Sequence, residues 1–151
     1  EPGIVCENGW HTKNSNMKNN QITMWLSTQA CIFKANEIKD IKFEIDLGRY
    51  SYLEDLFFSY EINKKGKMIV VSEARYNHPD FIERKSFEFG IQEVVNRYKF
   101  VKKNNLNTKK FYITVIFKSL HNLSKTLLKN FKFFHNFVGN LYGILKCLLK
   151  L

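Results

Sequence analysis

Seven apolar residues, Leu127, Phe131, Phe134, Val138, Leu141, Leu145 and Leu148, recur at alternating spacings of four and three. That period gathers them on one side of an α-helix and on neither face of a strand, so an amphipathic helix with a heptad-like seam is predicted there. Lys125, Lys129, Lys132 and Lys146 fall mostly off the seam. Gly139 and Gly143 form a G-x-x-x-G, a spacing that lets a second helix approach closely.

Charge divides the chain in the same place. Residues 1–93 hold 12 Lys+Arg and all 14 acids, a net of −2. Residues 94–151 hold 12 Lys+Arg and no acid, a net of +12. A one-signed segment of this kind suggests an anionic partner, either nucleic acid or a membrane surface. Nucleic acid would want aromatics interleaved with lysine on an exposed face, whereas Phe131 and Phe134 lie on the apolar seam, so lipid contact or packing is favoured.

Other classes fall away. With 44% hydrophobic and 25% charged residues the composition is globular. No apolar run reaches the ~18 residues of a membrane-spanning helix. Cys6, Cys31 and Cys147 are odd in number and far apart, which excludes a disulfide framework and makes reduced thiols in a cytosolic setting the expectation. Residues 1–20 lack the basic start and apolar core of a secretory leader. Glu1 in place of Met leads us to expect a C-terminal fragment of a larger protein.

Along the chain, residues 1–20 are turn-rich and read as a loop. Thr23 to Lys34 and Ile41 to Leu47 read as strands, with a helical turn possible over Ala35 to Lys39. Leu53, Leu56, Phe57 and Tyr60 recur at helical spacing, with Ser51 and Glu54 matching a capping box and Lys64, Lys65 and Gly66 a basic, Gly-terminated end. Lys67 to Ala74 reads as a short strand, Asn77 to Lys85 as a loop and Phe89 to Lys103 as an amphipathic helix. Residues 111–117 (FYITVIF) look locally like a strand.

The chemistry is most suggestive at Glu54-Asp55, with His78 after the next strand. Adjacent carboxylates point in different directions around a helix, so one can cap while the other faces a cleft as general base. A histidine beyond a strand end can complete a metal site with carboxylates from elsewhere. The competing reading is that acids in a first turn stabilise the helix dipole and that His78 is an ordinary loop residue. Asp80 and Glu83 imitate a nuclease signature, but their spacing leaves no strand on which to set them around a metal. Glu73 to Arg75 at a strand end fits the same scheme no better.

Taken in order, Trp25-Leu26-Ser27, Ala30 to Lys34, Ile41-Lys42-Phe43 with Asp46, Tyr52 to Asp55, Tyr60 to Lys67, Ala74 to His78 and Asn96-Arg97-Tyr98 form a familiar series. Over roughly residues 22–104 the series resembles the C-terminal half of family 2 glycosyltransferases. The resemblance implies an α/β fold: the C-terminal part of a GT-A (nucleotide-diphospho-sugar transferase) fold, a few strands with packed helices, followed by a basic amphipathic helical tail. It divides the chain into an N-terminal loop (1–21), the catalytic half-domain (22–104) and a membrane-associated tail (105–151). For 111–117 it favours helix over strand.

The resemblance also implies roles. Asp55 would be the general base that deprotonates an acceptor hydroxyl for inverting attack on a nucleotide-sugar, and Glu54 would support the site. Trp25 would line the acceptor side, and Ser27, Thr28 and Gln29 would form the loop near the donor sugar. His78 would help hold a divalent metal, Mg²⁺ or Mn²⁺, against the leaving diphosphate. The partners implied are a nucleotide-sugar donor, a glycan or lipid-linked acceptor, and an anionic membrane surface met by residues 105–151, with no nucleic acid. The setting implied is cytoplasmic, peripheral at the inner face of the cell membrane.

Thr28 stands where the family usually has glycine, and Glu61 where an arginine is common. The chain has no D-x-D, and a fragment without the nucleotide-binding half would be inactive alone. The alternative expectation is a small basic module without catalysis that binds nucleic acid or a membrane surface.

Overall fold

The computed structural model describes residues 1–48, 50–77, 84–128 and 130–149. The chain forms two compact units, Glu1–Cys6 with Trp10–Pro79, and Glu7–Gly9 with Asp80–Leu151. The elements in order are β1 (Gln21–Thr23), a 3₁₀ turn (Thr28–Ala30), α1 (Ala35–Ile38), α2 (Glu54–Lys65), β2 (Met68–Val70), α3 (Phe87–Lys103), α4 (Thr108–Leu128) and α5 (Lys132–Leu149).

Helix dominates, and among the described residues the sheet has two strands, β1 antiparallel to β2 with Ile22 opposite Ile69. This corrects the expected α/β architecture: it is not a GT-A fold with a few strands. The physical reasons are local. Thr23 to Lys34 leaves the ladder after Thr23, whose hydroxyl donates to the Trp25 carbonyl at 2.8 Å and turns the chain. Ile41 to Leu47 forms no strand: Phe43 stacks on Phe58 at 4.1 Å and Leu47 is buried, while Ile45 stays exposed. Residues 111–117 are helical because Phe111, Val115, Ser119 and Asn122 make one buried face, and burial overrides β-propensity.

In the first unit the core forms where α2 lays Phe58 and Ile62 against Met68 of β2, with Leu26, Phe33, Ile38 and Ile41 packed around them. The basic end of α2 stops at Gly66, whose N–H donates to the Ile62 carbonyl at 3.0 Å. The predicted capping box is absent. Leu53 precedes the helix at φ 79° with no side-chain cap, and Ser51 sits at φ 48° in the turn before it.

The second unit is built on α3, which Ser86 caps by accepting the Phe89 N–H at 3.0 Å. The G-x-x-x-G does what its spacing promised. A Cβ on Gly139 would lie 2.2 Å from the Phe87 carbonyl oxygen, and one on Gly143 would lie 2.8 Å from Val94 Cβ, so α3 passes close over α5. Fully buried Asn140, its amide turned to satisfy its neighbours, donates to the Gly90 and Asn136 carbonyls at 3.1 Å each. Buried Arg97 donates from Nη1 to the Gly9 carbonyl at 2.5 Å, and Lys118 pairs with buried Glu93 at 2.5 Å.

The seam of α5 faces away from the unit's own core. Its buried face is Asn136, Gly139, Asn140, Gly143 and Cys147. Phe134, Leu141, Leu145 and Leu148 of the apolar seam, for which lipid contact or packing was expected, are exposed on the opposite side, and Leu127 belongs to α4 rather than to the same helix. α4 repeats the pattern: Ile113, Ile116, Phe117, Leu120 and Leu127 are exposed opposite its buried face. Among the described residues no helix is long and apolar enough to cross a membrane.

Candidate functional site

The site forms where the 3₁₀ turn at Thr28–Ala30 meets the first turn of α2 in the first unit. Thr28 donates twice to Asp55 Oδ1, from its backbone N–H at 3.2 Å and from its hydroxyl in a shorter bond. Two segments 27 residues apart are thus joined through one carboxylate oxygen. Asp55 is partly buried, and its own carbonyl accepts the Ser59 hydroxyl at 2.6 Å, which ties the carboxylate's backbone into the helix.

The helix is entered through an uncommon conformation. A branched residue at positive φ is strained, and Leu53 holds that strain directly before the carboxylate pair. Glu54 is exposed on the other side of the pair. Partial desolvation first, and then the charge of Asp55, push its carboxyl above the ordinary glutamate value. The two acids therefore differ: Asp55 is held by donors while Glu54 resists ionisation.

The expected loop residues gather beside Asp55. Ser27 donates to Gln29 Oε1 at 3.2 Å, and the Tyr76 hydroxyl donates to the same oxygen at 3.1 Å. The Cys31 thiol donates to the Ser27 carbonyl at 2.9 Å, and burial, then the Asp55 charge, push its pKa up. Trp25 lies half-buried a few residues upstream. Its indole N–H donates to the Thr12 carbonyl at 2.9 Å and its ring tilts over His11 with centroids 4.2 Å apart.

His78 lies outside the described residues, so the expected metal ligand has no geometry to report. Among the described residues no group of three or more His, Cys, Asp or Glu comes together as a metal site. Tyr76 and Cys31 were missed by sequence reasoning. Cys31 stands four residues after Ser27, a spacing that a turn brings into contact, but nothing in the sequence signalled Tyr76. Asn96 and Arg97, part of the series behind the resemblance, are buried in the second unit, where Arg97 holds the Gly9 carbonyl.

No protein-family profile, no curated protein and no solved structure matches this chain.

Proposed function

We propose that this chain carries the acceptor-activating part of an inverting glycosyltransferase, with Asp55 as general base. The observation that carries the reading is the meeting of Thr28 with Asp55 at the start of α2. A carboxylate in a first helical turn, fixed by two donors and preceded by a strained residue, is positioned rather than free to swing.

In the proposed step Asp55 accepts the proton of an acceptor hydroxyl as that oxygen attacks the anomeric carbon of a nucleotide-sugar. The new glycosidic C–O bond forms as the bond to the diphosphate breaks. The electron pair leaves with the nucleoside diphosphate, and the configuration inverts. Ser27, Thr28 and Gln29 border the reacting centre, Tyr76 steadies Gln29, and Glu54 adjoins the base. The acceptor is a glycan or a lipid-linked sugar, met at the inner face of the cell membrane.

The test is nucleoside diphosphate release by the full-length protein from a panel of nucleotide-sugars, in the presence of a lipid and glycan extract. Asp55→Asn should lower turnover by a factor on the order of 10² to 10⁴. Donor affinity should stay within about threefold of wild type, because a base acts in the transition state rather than in donor binding. A near-native rate in Asp55→Asn, or no release by wild type across the panel, would remove the proposal.

A further inference from the structure

The outward faces of α4 and α5 present a physical problem that the fold does not solve. Phe117 is 69% exposed, Leu127 81% and Leu148 61%, although each sits where a helix of a water-soluble bundle carries polar residues. The inward faces are already filled, by the close glycine contact between α3 and α5 and by Phe111 and Val115 of α4. The outward residues therefore have no place left in the unit's own core. Exposed apolar surface on this scale marks a contact with something outside the chain.

We infer that these two faces rest on the surface of an anionic lipid bilayer, with α4 and α5 lying in the interface rather than crossing it. Charge identifies the occupant. Residues 94–151 carry 12 Lys+Arg and no acid, which suits an anionic headgroup layer. A second copy of the chain would bring the same sign against itself. Nucleic acid would meet leucine, isoleucine and phenylalanine where it needs cations. The Lys146 ammonium lies over the Tyr142 ring at 5.7 Å and the Lys125 ammonium over the Phe133 ring at 5.3 Å, so cations stand beside the aromatic residues of these helices. Lysines flanking an apolar face are placed to meet anionic headgroups when that face enters the interface. Since no described helix can cross a bilayer, the arrangement is that of a surface-bound helix pair.

The inference deepens the membrane setting of the proposed function, and it rests on the outward faces of α4 and α5, not on Asp55. Its test is co-sedimentation of the full-length protein with phosphatidylcholine vesicles, with and without phosphatidylglycerol. Wild type should bind the anionic vesicles at least about tenfold more tightly than the zwitterionic ones, with the difference shrinking in high salt. Phe117→Ser, Leu120→Ser and Leu145→Ser together should weaken binding about a hundredfold, with helix content by circular dichroism unchanged. Lys125→Gln with Lys146→Gln should reduce the anionic preference alone. Asp55→Asn should bind as wild type, which separates failure here from failure of the catalytic proposal. Failure of wild type to bind, or undiminished binding by the triple serine variant, would overturn the inference. So would a dimer, or a complex with duplex DNA, that the triple variant abolishes while vesicle binding persists.

Discussion

α2 and α5 use their apolar residues in opposite ways. α2 turns Leu56, Phe57, Phe58 and Ile62 into the core of the first unit. α5 turns Asn136, Gly139, Asn140, Gly143 and Cys147 inward and leaves its leucines exposed. Charge follows the same division, −2 over residues 1–93 and +12 over residues 94–151. The difference teaches that hydrophobic period identifies a face that avoids water but does not say what covers it. Small residues beside a conspicuous apolar seam are the sign that packing runs through the other face.

The comparison breaks most sharply on paired truncations. Phe58→Ala empties a site where Phe33 and Phe43 both meet the ring, and should cost about 4 kcal/mol in urea unfolding. Gly139→Leu forces a side chain into the Phe87 carbonyl and should cost about 3 kcal/mol, with loss of helix signal from the second unit. Leu145→Ala removes the same atoms as a core truncation, yet in lipid-free buffer should cost less than about 1 kcal/mol, because about half of the residue already stands in solvent. A cost of several kcal/mol there would mean that the outward face is in fact a core.

The smallest effect is a pH dependence at Glu54. Its folded pKa is raised, so the folded state binds more protons than the unfolded chain between the ordinary glutamate value and the folded one. Its contribution therefore falls as pH rises through that window. Glu54→Gln should flatten the stability–pH curve there, read from thermal melts across the mildly acidic range, whereas Glu54→Asp should keep a slope.

Much of the helical framework was legible in the sequence. Helical spacing marked α2 and α3, and the glycine pair correctly announced the close approach between α3 and α5. The strands were less legible, because β-branched and aromatic residues in Thr23 to Lys34 describe a preference that turns overrode; 111–117, locally strand-like but expected as helix from the resemblance, is helical. The apolar seam of α5 was legible, but not the face that packs on α3, because Asn136 and Asn140 carry no apolar signal. At the site, Glu54-Asp55 and Ser27 to Gln29 were singled out and lie together. The Thr28 hydroxyl on Asp55 required the fold, since no sequence rule brings residues 28 and 55 into contact. The left-handed Leu53 was hidden for the opposite reason: leucine is a residue that rarely adopts it, so the strain has no compositional mark.

The most direct test of the inverted second unit places a reporter on its outward face. Leu145→Trp in the full-length protein, mixed with anionic vesicles containing brominated acyl chains, should lose the added fluorescence through contact quenching, while Trp10 and Trp25 keep theirs. Unquenched emission from Trp at position 145, with the protein demonstrably bound to the vesicles, would contradict the account that lipid covers the apolar face of α5.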